Sequence, residues 1–176
     1  EDFANTNAFR LLNKYRNRVC TFNDDIQGTA AVALAGLYSA LRITGGPQRE
    51  QRILCFGAGE AATGICDLVV ASAMKDGAPE SEARRQCWLF DSRGLVVSSR
   101  EDLAEHKRPY AHDHVPFTDF VAAVKSIKPT AIIGVAAVGG TFTQQVLQAM
   151  AEINERPIVF ALSNPTSKSE CTAEQA

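Results

Sequence analysis

Four groups of residues have the types and spacing to do chemistry. The first, Gly57-Ala58-Gly59-Glu60-Ala61-Ala62, follows the apolar run Ile53-Leu54-Cys55-Phe56 and precedes a helical pattern through Ile65, Leu68, Val69 and Ala73. A Gly-x-Gly-x-x-Ala loop between a strand and a helix is the setting of a dinucleotide-binding turn. Its first glycine allows the tight turn, its second lets the backbone approach a pyrophosphate, and free helical N–H groups hold the anion. A ligand-free turn is the competing reading, and the flanking strand and helix weigh against it. The second group begins at Asp91, which closes the run Cys87-Trp88-Leu89-Phe90, where a ribose-binding acid belongs. It lies beyond the usual ~20-residue separation, and the polar insert 75–85 accounts for the excess. Ser92 and Arg93 follow it, and Lys107-Arg108 come later. A hydroxyl and cations there can take a 2′-phosphate, favouring NADP over NAD, with a solvated basic loop as the plainer alternative.

The third group is acidic. Glu1-Asp2 and Asp24-Asp25 each precede a helical pattern. Capping and the helix dipole, worth about 0.3–1 kcal/mol, explain acids in such places without any ligand. If the two helix starts converge, three carboxylates face one point and need a divalent cation to remain charged together. Oxygen-only ligation selects Mg²⁺ or Mn²⁺. The fourth is Asn164, at a strand end before Pro165, placed to hydrogen-bond a substrate carboxylate or a nicotinamide; Asn-Pro turns also occur without any role. His112-Asp113-His114 resembles a ligand cluster but lacks a third partner and reads as a solvated face.

These residues need a scaffold. Apolar runs at 53–56, 87–90, 131–135 and 157–162 have strand length, and helical periodicity lies between them. Strands apolar throughout and separated by helices make a parallel sheet covered on both faces, and the expected fold is α/β, Rossmann-like and doubly wound. Ligands of such sheets bind at the carboxyl ends of the strands. Earlier helices are expected over 3–16 and from just after Asn23-Asp24-Asp25 to the Gly45-Gly46-Pro47 break, with a short apolar stretch at 19–22. Residues 75–85 read as a loop with a helical extension, and Thr143 as the cap of a helix through Met150. The division expected is a helical segment 1–47 carrying carboxylates and a nucleotide-binding domain 48–176. Among 176 residues, 18 Lys+Arg against 20 Asp+Glu give a net charge of −2, with no footprint for nucleic acid or anionic lipid. No uninterrupted apolar run reaches bilayer length, so no membrane partner is expected. Five cysteines without a C-x-x-C pair, most of them in apolar runs, read as reduced core residues of an intracellular protein. The opening Glu1-Asp2-Phe3, without Met or leader, and the helix-like close at 172–176 read as a segment of a longer chain.

Taken together, Glu1-Asp2-Phe3-Ala4-Asn5, Phe22-Asn23-Asp24-Asp25-Ile26-Gln27-Gly28-Thr29, the glycine loop and Phe160-Ala161-Leu162-Ser163-Asn164-Pro165-Thr166 with Glu170-Cys171 resemble the malic enzymes over essentially the whole chain. The resemblance implies that Glu1, Asp2 and Asp25 are ligands of Mg²⁺ or Mn²⁺, and that Asp24 helps position a catalytic lysine. It places Gly57, Gly59, Glu60, Ala61, Ala62, Asp91 and Asn164 at the cofactor, with Asn164 also touching malate. Ser92, Arg93 and Lys107 look like the NADP-dependent branch, although Arg93 stands where a lysine is usual. The implied reaction is metal-dependent oxidative decarboxylation of L-malate to pyruvate and CO₂, with hydride passing to the nicotinamide. The family's general base and acid, a lysine and a tyrosine, belong upstream of Glu1; Lys14 and Tyr15 do not match them. The segment alone is expected to be inactive. The whole protein is expected to be a homo-oligomer, tetrameric or dimeric, in the cytoplasm or alternatively in mitochondria. Competing readings are another NAD(P)-dependent dehydrogenase of amino-acid type and a non-catalytic nucleotide-binding module.

Overall fold

The computed structural model describes residues 3–176. The four expected strands are present as β1 (Ile53–Phe56), β2 (Cys87–Asp91), β4 (Ala131–Gly134) and β5 (Ile158–Ala161). A two-residue strand, β3 (Gly94–Leu95), completes the sheet in the order β3-β2-β1-β4-β5. β1 pairs in parallel with β2 and β4, β4 pairs in parallel with β5, and β3 runs antiparallel to β2. This is the strand order of dinucleotide folds, which reverses between β1 and β4. β3 escapes sequence reading because two residues are too few to show a period.

Both sheet faces are covered. Ile53, Cys55, Leu89 and Ile133 join Leu37 of α2 (Thr29–Thr44) and Ile65 and Val69 of α3 (Glu60–Lys75) in one core. Leu54, Phe90 and Ile132 point the other way, to Phe120 and Val124 of α5 (Phe120–Ile127) and Val146 and Met150 of α6 (Gln144–Ile153). Because successive strand residues alternate faces, burial of both requires apolar residues at every position, hence unbroken runs instead of alternation. On the second face Phe56, Phe90, Phe120 and Phe142 form a cluster, with Phe120 edge-on to Phe56 and Phe90 at 4.9 and 5.1 Å.

Several expectations need correction. The first helix, α1, spans Asn5–Tyr15, and within the apolar stretch 19–22 Val19 and Phe22 are exposed. Cys20 is exposed too, so the core reading holds for the other four cysteines. The polar insert contains a real helix, α4 (Glu80–Arg85), stapled by the Glu80–Arg84 ion pair. Thr143 sits at the N-cap of α6 without a side-chain capping bond, whereas Asp119 caps α5 by accepting from Ala122 N at 2.7 Å. The helical stretch Asp24–Thr44, 21 residues with hydropathy 1.2, is long and apolar enough by length and composition to cross a membrane. In the fold its Ala30, Ala33, Leu37 and Leu41 are buried in the core shared with β1 and α3.

Candidate functional site

The glycine loop lies at the point where strand order reverses. Gly57 has φ +129°, and a Cβ there would lie 2.9 Å from the carbonyl oxygen of Val135. Only glycine fits, because the loop after β1 presses against the backbone leaving β4. Gly57 N donates to Phe90 O at 2.8 Å, which fixes the turn against β2 as well. Gly59 then caps α3 without a side chain, leaving the first N–H groups of that helix, from Glu60, Ala61 and Ala62, directed at the crevice.

The Asp91 carboxylate accepts four hydrogen bonds from its own chain. Its Oδ1 accepts from Arg100 Nη1 (2.9 Å) and Arg93 N (2.9 Å); its Oδ2 accepts from Arg100 Nη2 (3.1 Å) and Lys107 Nζ (2.6 Å). Burial alone would raise its pKa, but the Arg100 and Lys107 hydrogen bonds win and hold it below the usual carboxylate range. Arg100 also reaches Asp102, which accepts from Arg93 Nη1 at 2.7 Å. Three cations therefore surround two acids, and the hairpin Ser92-Arg93 between β2 and β3 carries Arg93 outward with 71% of its side chain exposed. Within this cluster of paired side chains three cations meet two acids, which leaves one positive charge in excess, suited to a phosphate more than to a bare ribose. Arg100 went unnoticed in the sequence because a lone arginine in a polar loop carries no motif.

The acids approach from the other side. Asn23 accepts from Ile26 N at 2.8 Å, and its own N–H donates to Gln27 Oε1 at 3.0 Å. This reciprocal cap opens a wide, π-type turn, Asp24–Gly28, that runs straight into α2. The turn sits on α3 at Gly64, where a Cβ would lie 3.0 Å from the carbonyl carbon of Ile26. Backbone thus packs on backbone, and Asp25 comes close enough to Glu60, the first residue of α3, for its charge to reinforce burial in raising the Glu60 pKa. Asp24 lines a pocket of about 260 Å³ with Gly28, Thr29, Val32 and Leu162. Glu1 and Asp2 lie outside the described residues. Among the described residues no group of three His, Cys, Asp or Glu side chains is gathered for a metal. The carboxylate oxygens of Asp25, near those of Glu60, are donors of the type a hard cation takes.

Asn164 is exposed at the end of β5 and precedes Pro165 through a cis peptide bond. Behind it, fully buried Glu170 accepts from Ser163 Oγ and, at 3.3 Å, from Ser163 N. Ser163 Oγ in turn accepts from Ala137 N at 2.9 Å. Gly140 N–Ser169 O and Phe142 N–Glu170 O, both 3.0 Å, join the loops after β4 and β5 into one wall. Glu170 is the buried polar residue that sequence periodicity missed. His112 and His114, by contrast, pack on Trp88, His112 stacked at 3.8 Å, and form no ligand cluster.

Fold and crevice together define a dinucleotide-binding α/β domain with carboxylates and a polar wall at the rim of its nucleotide site. The chain belongs to the malic enzyme family: the family model described as malic enzyme, NAD binding domain, matches residues 26–176. The NADP-dependent malic enzyme of Mus musculus is 61% identical over 99% of this chain and 31% of its own length. The mitochondrial NADP-dependent malic enzyme of Homo sapiens is 57% identical over 99% of the chain and 29% of its own length. A crystal structure of the Entamoeba histolytica malic enzyme superposes with a TM-score of 0.76 at 26% identity, over 98% of this chain and 34% of that one. The chain thus spans about a third of the length of the relatives it matches.

Proposed function

We propose that this chain is the nucleotide-binding part of an NADP-dependent malic enzyme, acting with the remainder of its protein in the oxidative decarboxylation of L-malate to pyruvate and CO₂. The observation that carries this reading is the docking of the Asp24–Gly28 turn on α3, which sets Asp25 beside the first residue of the dinucleotide-binding helix.

On this reading Asp25, with Glu1 and Asp2, holds Mg²⁺ or Mn²⁺, which supplies Lewis-acid polarisation of the substrate oxygen when bound. The chain's own groups do the positioning. The glycine loop and the N–H groups of Glu60, Ala61 and Ala62 take the pyrophosphate, while Ser92, Arg93 and Lys107 take the 2′-phosphate beside the neutralised Asp91. Asp24, at the mouth of its pocket, orients the family's general base. Asn164 projects from the wall braced by Ser163 and Glu170 toward the malate carboxylate and the nicotinamide. That brace holds the amide at one distance from the acids, as near-attack geometry requires. The protein is intracellular, in the cytosol or an organelle, and a homo-oligomer, tetrameric or dimeric.

The test is initial rates of the intact protein with NADP and with NAD, each with and without Mn²⁺. Malate-dependent NADPH formation that disappears on chelation and returns with Mn²⁺ is expected. Turnover that survives a strong chelator, or cofactor binding without any malate-dependent turnover, overturns the reading.

A further inference from the structure

The 3₁₀ turn Glu105–Tyr110 is tied down at more points than a surface connection requires. His106 Nε2 lies 3.1 Å from the carbonyl oxygen of Ala58, inside the glycine loop. A carbonyl only accepts, so the ring nitrogen facing it carries the proton. Phe9 of α1 stacks on the same imidazole at 4.9 Å and 24°. One residue on, Lys107 Nζ meets Asp91 at 2.6 Å. At the end of the turn Tyr110 is fully buried, its hydroxyl donates to Asp67 Oδ1 of α3 at 2.5 Å, and Arg84 of α4 lies over its ring at 5.3 Å. Burial above all holds the Tyr110 phenol far above its ordinary pKa, so it remains a donor throughout the physiological range.

In a 3₁₀ helix residues i and i+3 eclipse one another. Lys107 and Tyr110 therefore share a face, and anchoring the tyrosine sets the rotation of the turn and the direction of the lysine stem. His106 lies on the neighbouring face and ties the same turn to the loop that meets the pyrophosphate. The turn thus joins the two ends of an adenosine site, one carrying the glycine backbone and one carrying the cations on Asp91.

We propose that Tyr110 with Asp67, and His106 with the Ala58 carbonyl, are positioning residues for coenzyme selection: they fix the Lys107 ammonium relative to the glycine loop, so that recognition of the 2′-phosphate depends on groups that never touch the cofactor. The inference rests on the reading of Lys107 as a 2′-phosphate ligand. Nothing about Tyr110, Asp67 or His106 follows from the glycine fingerprint, which ends at Ala62.

The experiment is calorimetric titration of the intact protein with 2′,5′-ADP and with 5′-AMP, which differ by the 2′-phosphate alone, and the readout is the ratio of their dissociation constants. Tyr110→Phe removes only the hydroxyl. It is expected to shift the ratio against 2′,5′-ADP about three- to tenfold, the size of weakening one charge-assisted contact. His106→Leu should shift it in the same direction, and His106→Gln, which keeps an N–H donor for Ala58, should restore it. A purely structural role would weaken both nucleotides together and leave the ratio alone, which would overturn the inference. Should Tyr110→Phe fold poorly, the His106 pair decides by itself. Lys107→Ala separates the two levels. If it abolishes the preference while the Tyr110 and His106 variants keep the wild-type ratio, the positioning inference fails and the coenzyme reading stands. If Lys107→Ala keeps the wild-type ratio, the coenzyme reading fails and the inference with it.

Discussion

Replacing Gly64 with alanine tests whether the acids are held in place by close helix packing. Two effects oppose each other. In the interior of a helix alanine is better than glycine by about 1 kcal/mol, so at an open position the change would stabilise α3. Here the added methyl would lie 3.0 Å from the Ile26 carbonyl carbon and 3.1 Å from its Cγ2, and closer still to the carbonyl oxygen. Carbon contacts are comfortable near 3.5–4.0 Å, so the Asp24–Gly28 turn must withdraw by roughly 1 Å. Overpacking of this kind costs about 1–3 kcal/mol, which outweighs the propensity gain. The net loss of about 1 kcal/mol corresponds to a Tm lower by roughly 2–4 °C. Function should suffer more, because Asp25 moves with the turn, and a misplacement of about 1 Å lowers rates by roughly 100-fold. Thermal unfolding and the Mn²⁺ dependence of malate-driven NADPH formation read the two effects separately. A Gly64→Ala protein with a raised Tm and a normal Mn²⁺ response would show that Gly64 is merely a poor helix former and that the docking argument is wrong.

Other perturbations probe the remaining parts. Asp25→Asn keeps the size of the side chain and removes its charge, so Mn²⁺-dependent turnover should be lost while the Tm rises or stays level; wild-type half-saturation by Mn²⁺ would remove Asp25 from the donor set. Ser163→Ala takes from buried Glu170 its hydroxyl donor and from Ala137 N its acceptor, which should destabilise by about 2–3 kcal/mol; a urea midpoint unchanged from wild type would contradict the bracing role of that serine. Burial pushes the pKa values of His106 and His112 below the imidazole norm, so the unfolded chain takes up protons first as pH drops below about 6.5. Their stability contribution is therefore complete above that pH and shrinks toward pH 5; urea midpoints that stay level between pH 7.5 and 5.5 would count against it. Asp91, whose pKa is depressed, acts in a lower window: its contribution is present above about 4 and is lost only as pH falls further.

Much of the architecture was legible because burial on both faces writes unbroken apolar runs, and four of them became β1, β2, β4 and β5. The glycine loop was legible for the same reason that it works, since Gly57 is irreplaceable beside Val135. What stayed hidden depends on neighbours distant in sequence. Gly64 looks like an ordinary helix glycine until Ile26 is placed against it. Arg100 acquires meaning only as the partner of Asp91, and Glu170 only as the acceptor behind Ser163. Asp91 is legible from its position at a strand end, but the Arg100 and Lys107 side chains that meet it there are not. β3, at two residues, offers no pattern to read.

The sheet order carries a consequence for how such proteins diversify. The groups proposed to meet the 2′-phosphate gather beyond the end of β2, whereas the wall bearing Asn164 follows β5 at the opposite edge of the sheet. A lineage can rewrite the hairpin at 92–93 and its cationic neighbours without disturbing the groups assigned to malate. On the proposed reading, recognition of the 2′-phosphate and the Asn164 contact thus lie at opposite edges of one sheet and can change at different rates.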